Sequence, residues 1–137
     1  MSGWLLPSLL YILLLGGLGV TTKLALRDVS WQDVIVWTAI VYALISVTML
    51  VTRQASVTVG AGTFWAIVSA ILASTALIAF YIALGRGEAS RVVPFTSAYP
   101  LVTMVLAAIV LSEKITPLRG GAALLVVVGV VLLSTGN

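Results

Sequence analysis

Five apolar segments divide this chain of 137 residues, and no Asp, Glu, Lys, Arg or His lies inside the first four. The segments run about 4–22, 34–52, 62–84, 92–111 and 117–135. A helix needs about 20 apolar residues to cross the hydrocarbon core of a bilayer, so each is a candidate span. Hydrophobic residues make up 61% of the chain and charged residues 8%, against roughly 25% charged in soluble domains. A soluble fold of this size has too little polar surface to cover so apolar a chain. Backbone groups in lipid must be hydrogen-bonded within the protein, and spans of this length achieve that as helices rather than barrel strands. The expected class is an all-α integral membrane protein, with five transmembrane helices in one domain over residues 1–137.

The punctuation between segments fits helices. Ser30-Trp31-Gln32-Asp33 reads as a capping box opening the second helix. Gly85 is placed to end the third as a left-handed cap. Thr116-Pro117 offers an N-cap followed by Pro at the first helical position. Trp4, Trp31 and Trp65 lie near segment ends, as an aromatic belt requires. Met1-Ser2-Gly3-Trp4 lacks a basic stretch and no clear cleavage site follows, so the first segment is expected to be a retained span. The short loops make neighbouring helices antiparallel, and an odd number of spans puts the two ends on opposite sides.

Lys and Arg bias normally fixes orientation in a membrane. Here it is nearly absent. Lys23, Arg27, Arg86 and Arg91 fall on one side, and Arg53, Lys114 and Arg119 on the other. Such a balance suits a protein that inserts both ways and pairs head to tail. The basic residues stand singly or in pairs at segment ends. They read as topology anchors, with Arg119 able to snorkel, and not as a nucleic-acid surface. With no Cys and no His, disulfides, thiol chemistry and the usual zinc sites are excluded, and no cofactor or metal is expected.

Small residues mark faces suited to close packing: Ala66, Ala70, Ala73, Ala79 and Ala83 on the third segment, Gly16, Gly17 and Gly19 on the first, Gly120, Gly121 and Gly129 on the fifth. They serve either packing within the chain or a dimer face.

The fourth segment breaks the apolar pattern most sharply. At 100° per residue, Thr96 and Thr103 lie within about 20° of each other on a continuous helix. Tyr99 and Pro100 flank that line. Pro100 has no N–H to give the carbonyl of Thr96. Irregular backbone at this depth is tolerated where it faces protein or a water-filled cavity, and broken helices are how many carriers build sites. A structural kink is the plainer alternative. Thr96, Tyr99, Pro100 and Thr103 are therefore the leading solute-contacting candidates. Weaker ones are Tyr11, with Thr21, Thr22 and Lys23; Trp37, Thr38 and Tyr42; and Tyr81, with Ser74 and Thr75. Aromatic walls suit organic solutes, including cations.

The absences also count. Intramembrane acids are common proton carriers, yet Asp28, Asp33, Glu88 and Glu113 all lie in loops or at helix ends. No nucleotide loop, nucleophile elbow or metal cluster is present, so an enzyme is not expected.

From Ala83 to Pro94 the run ALGRGEASRVVP resembles the signature of the EamA family, of the drug/metabolite transporter superfamily. So do Tyr99-Pro100-Leu101-Val102, Leu111-Ser112-Glu113-Lys114-Ile115-Thr116, Gly120-Gly121-Ala122 and Gly129. The likeness is clear over about residues 62–135; the first two helices fit by length and by the ending Thr22-Lys23-Leu24-Ala25-Leu26. Two departures stand out. The family turn usually reads Leu-Gly-Glu, where this chain has Ser112. Many members carry Arg early in the second helix, where this chain has Trp37 and Thr38.

The resemblance implies one half of an inverted-repeat transporter. Most members hold two five-helix repeats of opposite orientation around a substrate cavity, and this chain looks like one repeat. Two copies, one inverted, would complete the plan. The expectation is an antiparallel homodimer in the cell inner (plasma) membrane. It would carry small organic metabolites or amphipathic solutes by alternating access, through a cavity walled by the first, third and fourth helices. One alternative resembles the small multidrug exporters of the same superfamily, for cationic compounds. Those have four helices and an acid in the first, and residues 4–22 hold none. The other is a non-transporting or lipid-handling subunit with a five-helix heteropartner.

Overall fold

A computed structural model describes residues 4–135. These form six helices: α1 Leu5–Ala25, α2 Trp31–Val51, α3 Ala61–Arg86, α4 Ala89–Thr96, α5 Tyr99–Val110 and α6 Pro117–Thr135. Four stretches are long and apolar enough to cross a membrane, namely α1, α2, α3 and the α4–α5 stretch Ala89–Val110; the apolar part of α6, Pro117–Leu133, is shorter. The expected Met1–Gly3 lead-in lies outside the described residues. The chain divides into two compact units, Met1–Arg86 and Gly87–Asn137.

In the first unit α3 is the shared partner, packing against both α1 and α2. α2 starts at Trp31, three residues before the apolar run, because the capping box forms. Ser30 Oγ accepts the Asp33 N–H at 3.2 Å while Asp33 Oδ2 accepts the Ser30 N–H at 3.0 Å. α3 opens from Gly60, whose N–H donates to Thr63 Oγ1 at 2.9 Å. α1 carries on past Thr22, taking Lys23 into its last turn.

The expected left-handed cap at Gly85 is not formed. No described glycine has a positive φ, and α3 runs through Gly85 to Arg86. The left-handed positions fall on Arg53 (φ 56°) and Ser112 (φ 55°) instead. At Arg53 the chain makes a Schellman closure of α2, with Gln54 N–H on the Met49 carbonyl at 2.9 Å and Arg53 N–H on that of Leu50 at 3.1 Å. Ser112, just past α5, takes the left-handed conformation that glycine adopts most readily. The Glu113 N–H closes that turn on the Ala107 carbonyl at 3.3 Å.

In the second unit α4 packs against α6. The expected single helix over 92–111 is two helices that meet at Ser97 and Ala98 (ψ −1° and −7°). The hydrogen bonds tighten there to three-residue steps, Ala98 N–H to Phe95 and Leu101 N–H to Ala98. Pro94 and Pro100 each remove a donor from the ladder around this point. Thr116 does cap α6, accepting the Arg119 N–H on Oγ1 at 3.3 Å. Glu88 pairs with Arg91 at 3.4 Å on an exposed surface, a contact of little energetic weight.

Candidate functional site

The first unit holds an open groove of about 410 Å³ between its three helices. That is within the range of small-molecule sites. α1 contributes Leu18, Thr21, Thr22 and Ala25; α2 contributes Val34, Trp37, Thr38, Val41 and Tyr42; α3 contributes Leu77 and Tyr81. The spacing explains the faces. Thr38, Val41 and Tyr42 recur at three- and four-residue steps after Val34, as do Leu77 and Tyr81 on α3. No charged side chain lines the groove.

Two polar contacts among the described residues run between helices of this unit. Tyr81 is 2% exposed, and its hydroxyl lies 3.1 Å from Thr38 Oγ1. Thr38 donates its only hydroxyl hydrogen to the Val34 carbonyl at 2.8 Å, so Tyr81 is the donor to Thr38. The second contact joins α1 to the end of α3, where Lys23 Nζ donates to the Leu84 carbonyl at 2.7 Å. The last four carbonyls of a helix lack intrahelical donors. Because Gly85 does not turn the backbone over on itself, the Leu84 carbonyl takes its donor from another helix. A cation at a helix C-terminus is also favoured by the helix dipole. The buried residues Gly19, Thr22, Tyr81 and Leu84 sit on the same stretches of α1 and α3. No buried side-chain nitrogen or oxygen among the described residues lacks a partner.

Of the residues singled out in the sequence, Trp37 and Tyr81 meet in the groove, together with Thr21, Thr22, Thr38 and Tyr42. Tyr11 lies on α1 about two turns before Leu18 and does not line it. Thr96 ends α4, Tyr99 and Pro100 begin α5, and Thr103 follows one turn on. None of these four lines the groove. The break at 97–98 interrupts the continuous helix on which their shared stripe was reckoned. The two threonine hydroxyls turn to the local backbone. Thr96 donates to Val92 and Val93 at 2.9 and 3.0 Å, and Thr103 to Tyr99 at 3.3 Å. The groove is walled by the first, second and third helices, and α2 supplies the largest share. Sequence reasoning gave no weight to Lys23 as a cross-helix donor. Its only signal was the run Thr21-Thr22-Lys23 at the close of an apolar segment.

The model of the EamA-like transporter family matches residues 2–135, nearly the whole chain. The chain belongs to that family. EamA lies within the drug/metabolite transporter superfamily, whose members are multi-pass membrane proteins, as the long apolar helices here require. The chain is also similar to the uncharacterized protein MJ1333.1 of Methanocaldococcus jannaschii, at 37% identity over 73 residues. That alignment takes in 53% of each protein, so it spans about half the length of this relative. No solved structure matches the chain.

Proposed function

We propose that this EamA protein is a carrier of small organic metabolites or amphipathic solutes, working as an antiparallel pair of five-helix subunits by alternating access. The groove of the first unit carries the reading. It is open, of solute size, aromatic and hydroxylated, and free of charge on its walls. α6 serves as the fifth span in this reading, and the whole chain acts as one repeat. The family plan of paired inverted repeats and the near-even split of Lys and Arg both favour an inverted second copy. Exposure agrees: no residue of α2 is buried, and added Cβ atoms at Gly16, Gly17, Gly121 and Gly129 would meet nothing within 4 Å. Those small-residue faces are therefore open to lipid or to a partner.

Thr96, Tyr99, Pro100 and Thr103 form a second proposed solute surface at the helix break, supplied once by each subunit. The kinked backbone favours it, since a break in mid-membrane needs protein or water around it.

Uptake into vesicles by purified protein tests the reading. Transport of at least one organic solute from a broad metabolite panel is expected, and Trp37→Ala should slow it. No uptake across the panel, with no solute bound in detergent, would point to a non-transporting subunit. Pairing is tested by a single cysteine at Asn137, which lies outside the described residues. With a membrane-impermeant thiol reagent, about half the protein is expected to label in intact cells and half only after lysis; labelling from one side only removes the inverted homodimer.

A further inference from the structure

The loop between α2 and α3 alternates in sequence, Ser56-Val57-Thr58-Val59. The hydroxyls of Ser56 and Thr58 lie 3.3 Å apart, so those two side chains share one side, as residues two apart do in an extended chain. Val57 and Val59 are 83% and 84% exposed, more than any large apolar residue of the helices on either side. Thr63 Oγ1 donates to the Thr58 carbonyl at 3.3 Å and ties the loop to the first turn of α3. Among the described residues, none accepts a hydrogen bond from the backbone N–H groups of 56–59.

The neighbouring residues fix the level of this loop. α2 has 21 residues, about 31 Å at the helical rise, just enough to cross a hydrocarbon core of roughly 30 Å. Its end at Val51 therefore falls at the edge of the core, and the exposed Arg53 falls among the headgroups. Beyond the loop, Phe64 and Trp65 meet edge to face with ring centroids 5.2 Å apart, and both are exposed. Aromatic side chains gather at this same boundary.

We propose that residues 56–59 form a one-sided contact with the bilayer surface. Val57 and Val59 enter the boundary between headgroups and acyl chains, and the Ser56 and Thr58 hydroxyls face water. The backbone sets the depth, because N–H groups without partners are not tolerated in the hydrocarbon. At headgroup level, water and phosphate oxygens accept from them. Arg53, with a fork of donors suited to phosphate, anchors the same level. A second copy of the chain adding its own strand here is the competing occupant. Lipid is favoured because the alternating run is only four residues, the Thr58 carbonyl already has a donor, and an isolated pair of short strands is marginal in water. The contact holds α2 and α3 at a fixed depth from the end opposite the groove, which takes residues 34–42 and 77–81 of these helices.

The chain has no native cysteine. Ser56→Cys, Val57→Cys, Thr58→Cys and Val59→Cys can therefore each carry the environment-sensitive dye NBD, on purified protein in phosphatidylcholine nanodiscs, with circular dichroism confirming helix content. Val57→Cys and Val59→Cys are expected to emit at shorter wavelength and to be quenched by lipid with a doxyl group at the top of its acyl chains. They should also be several-fold less quenched by aqueous iodide than Ser56→Cys and Thr58→Cys. Equal iodide quenching at all four positions overturns the proposal, since the loop then stands clear of the bilayer. Equal doxyl quenching at all four overturns it too, because the whole loop is then sunk in lipid. Protection from iodide without doxyl quenching assigns the face to a protein partner and overturns the lipid contact; disulfide cross-linking of Val57→Cys between copies would identify that partner as a second copy of the chain.

Discussion

Hydroxyls in both units donate to their own helices, as Ser46, Ser74 and Thr96 do, and two side chains of the first unit do something more. In the first, side chains reach across: Tyr81 of α3 donates to Thr38 of α2, and Lys23 of α1 donates to the backbone of α3. In the second, Thr96, Ser97 and Thr103 donate to carbonyls within four residues of themselves. The helix ends differ in the same sense. α5 closes locally through a left-handed Ser112, whereas α3 leaves the Leu84 carbonyl to a lysine 61 residues away. A hydroxyl that serves its own helix relieves a broken ladder. A group that serves another helix fixes how two helices meet, and so shapes a cavity.

The largest expected effect sets the units against each other directly. Tyr81→Ala should destabilise the protein by about 3 kcal/mol, the low end for removing a buried aromatic ring. Thr103→Ala should change stability by less than about 0.5 kcal/mol. Thermal unfolding in one detergent compares them, and equal losses would erase the distinction. Next come the helix ends. Ser112→Gly should stabilise by about 1 kcal/mol, because glycine adopts the left-handed conformation without the strain of a Cβ. Gly85→Ala should stabilise by roughly 0.5–1 kcal/mol, since the residue is helical with open space around it. A marked loss on Gly85→Ala would mean that α3 ends in a local turn after all. The smallest effect is the tie between α2 and α3. A double-mutant cycle of Thr38→Val and Tyr81→Phe should give a coupling near 0.6 kcal/mol, typical of hydrogen bonds between membrane helices. Coupling indistinguishable from zero would make the contact incidental.

Several features were legible in the sequence because they are local. The Ser30–Asp33 box spans four residues, and the Thr116 cap needs only the next turn. Apolar length alone marks the long helices. The disruption around Pro100 was visible too, although its place at 97–98 depends on Pro94 and Pro100 acting together. Gly85 misled for an instructive reason. Glycine permits a left-handed turn but does not require one, while Arg53 and Ser112 adopt it because the following chain must reverse there.

The grouping of candidate residues in space was less legible. Trp37 and Tyr81 could be named as aromatic residues in apolar helices, yet nothing in their spacing says that they share a cavity. Thr96, Tyr99, Pro100 and Thr103 drew attention because hydroxyls and prolines are rare in such a segment. The hydroxyls of Thr96 and Thr103 are engaged with the backbone beside them.

The sequence by itself determined the solvent of this protein, its helical class and its family, since apolar length, charge placement and short motifs are properties of neighbouring residues. The tertiary structure decided which polar groups face one another. Lys23 and Leu84, or Thr38 and Tyr81, lie 61 and 43 residues apart. Their meeting is set by how three nearly featureless apolar helices pack, and in such helices periodicity carries little directional information.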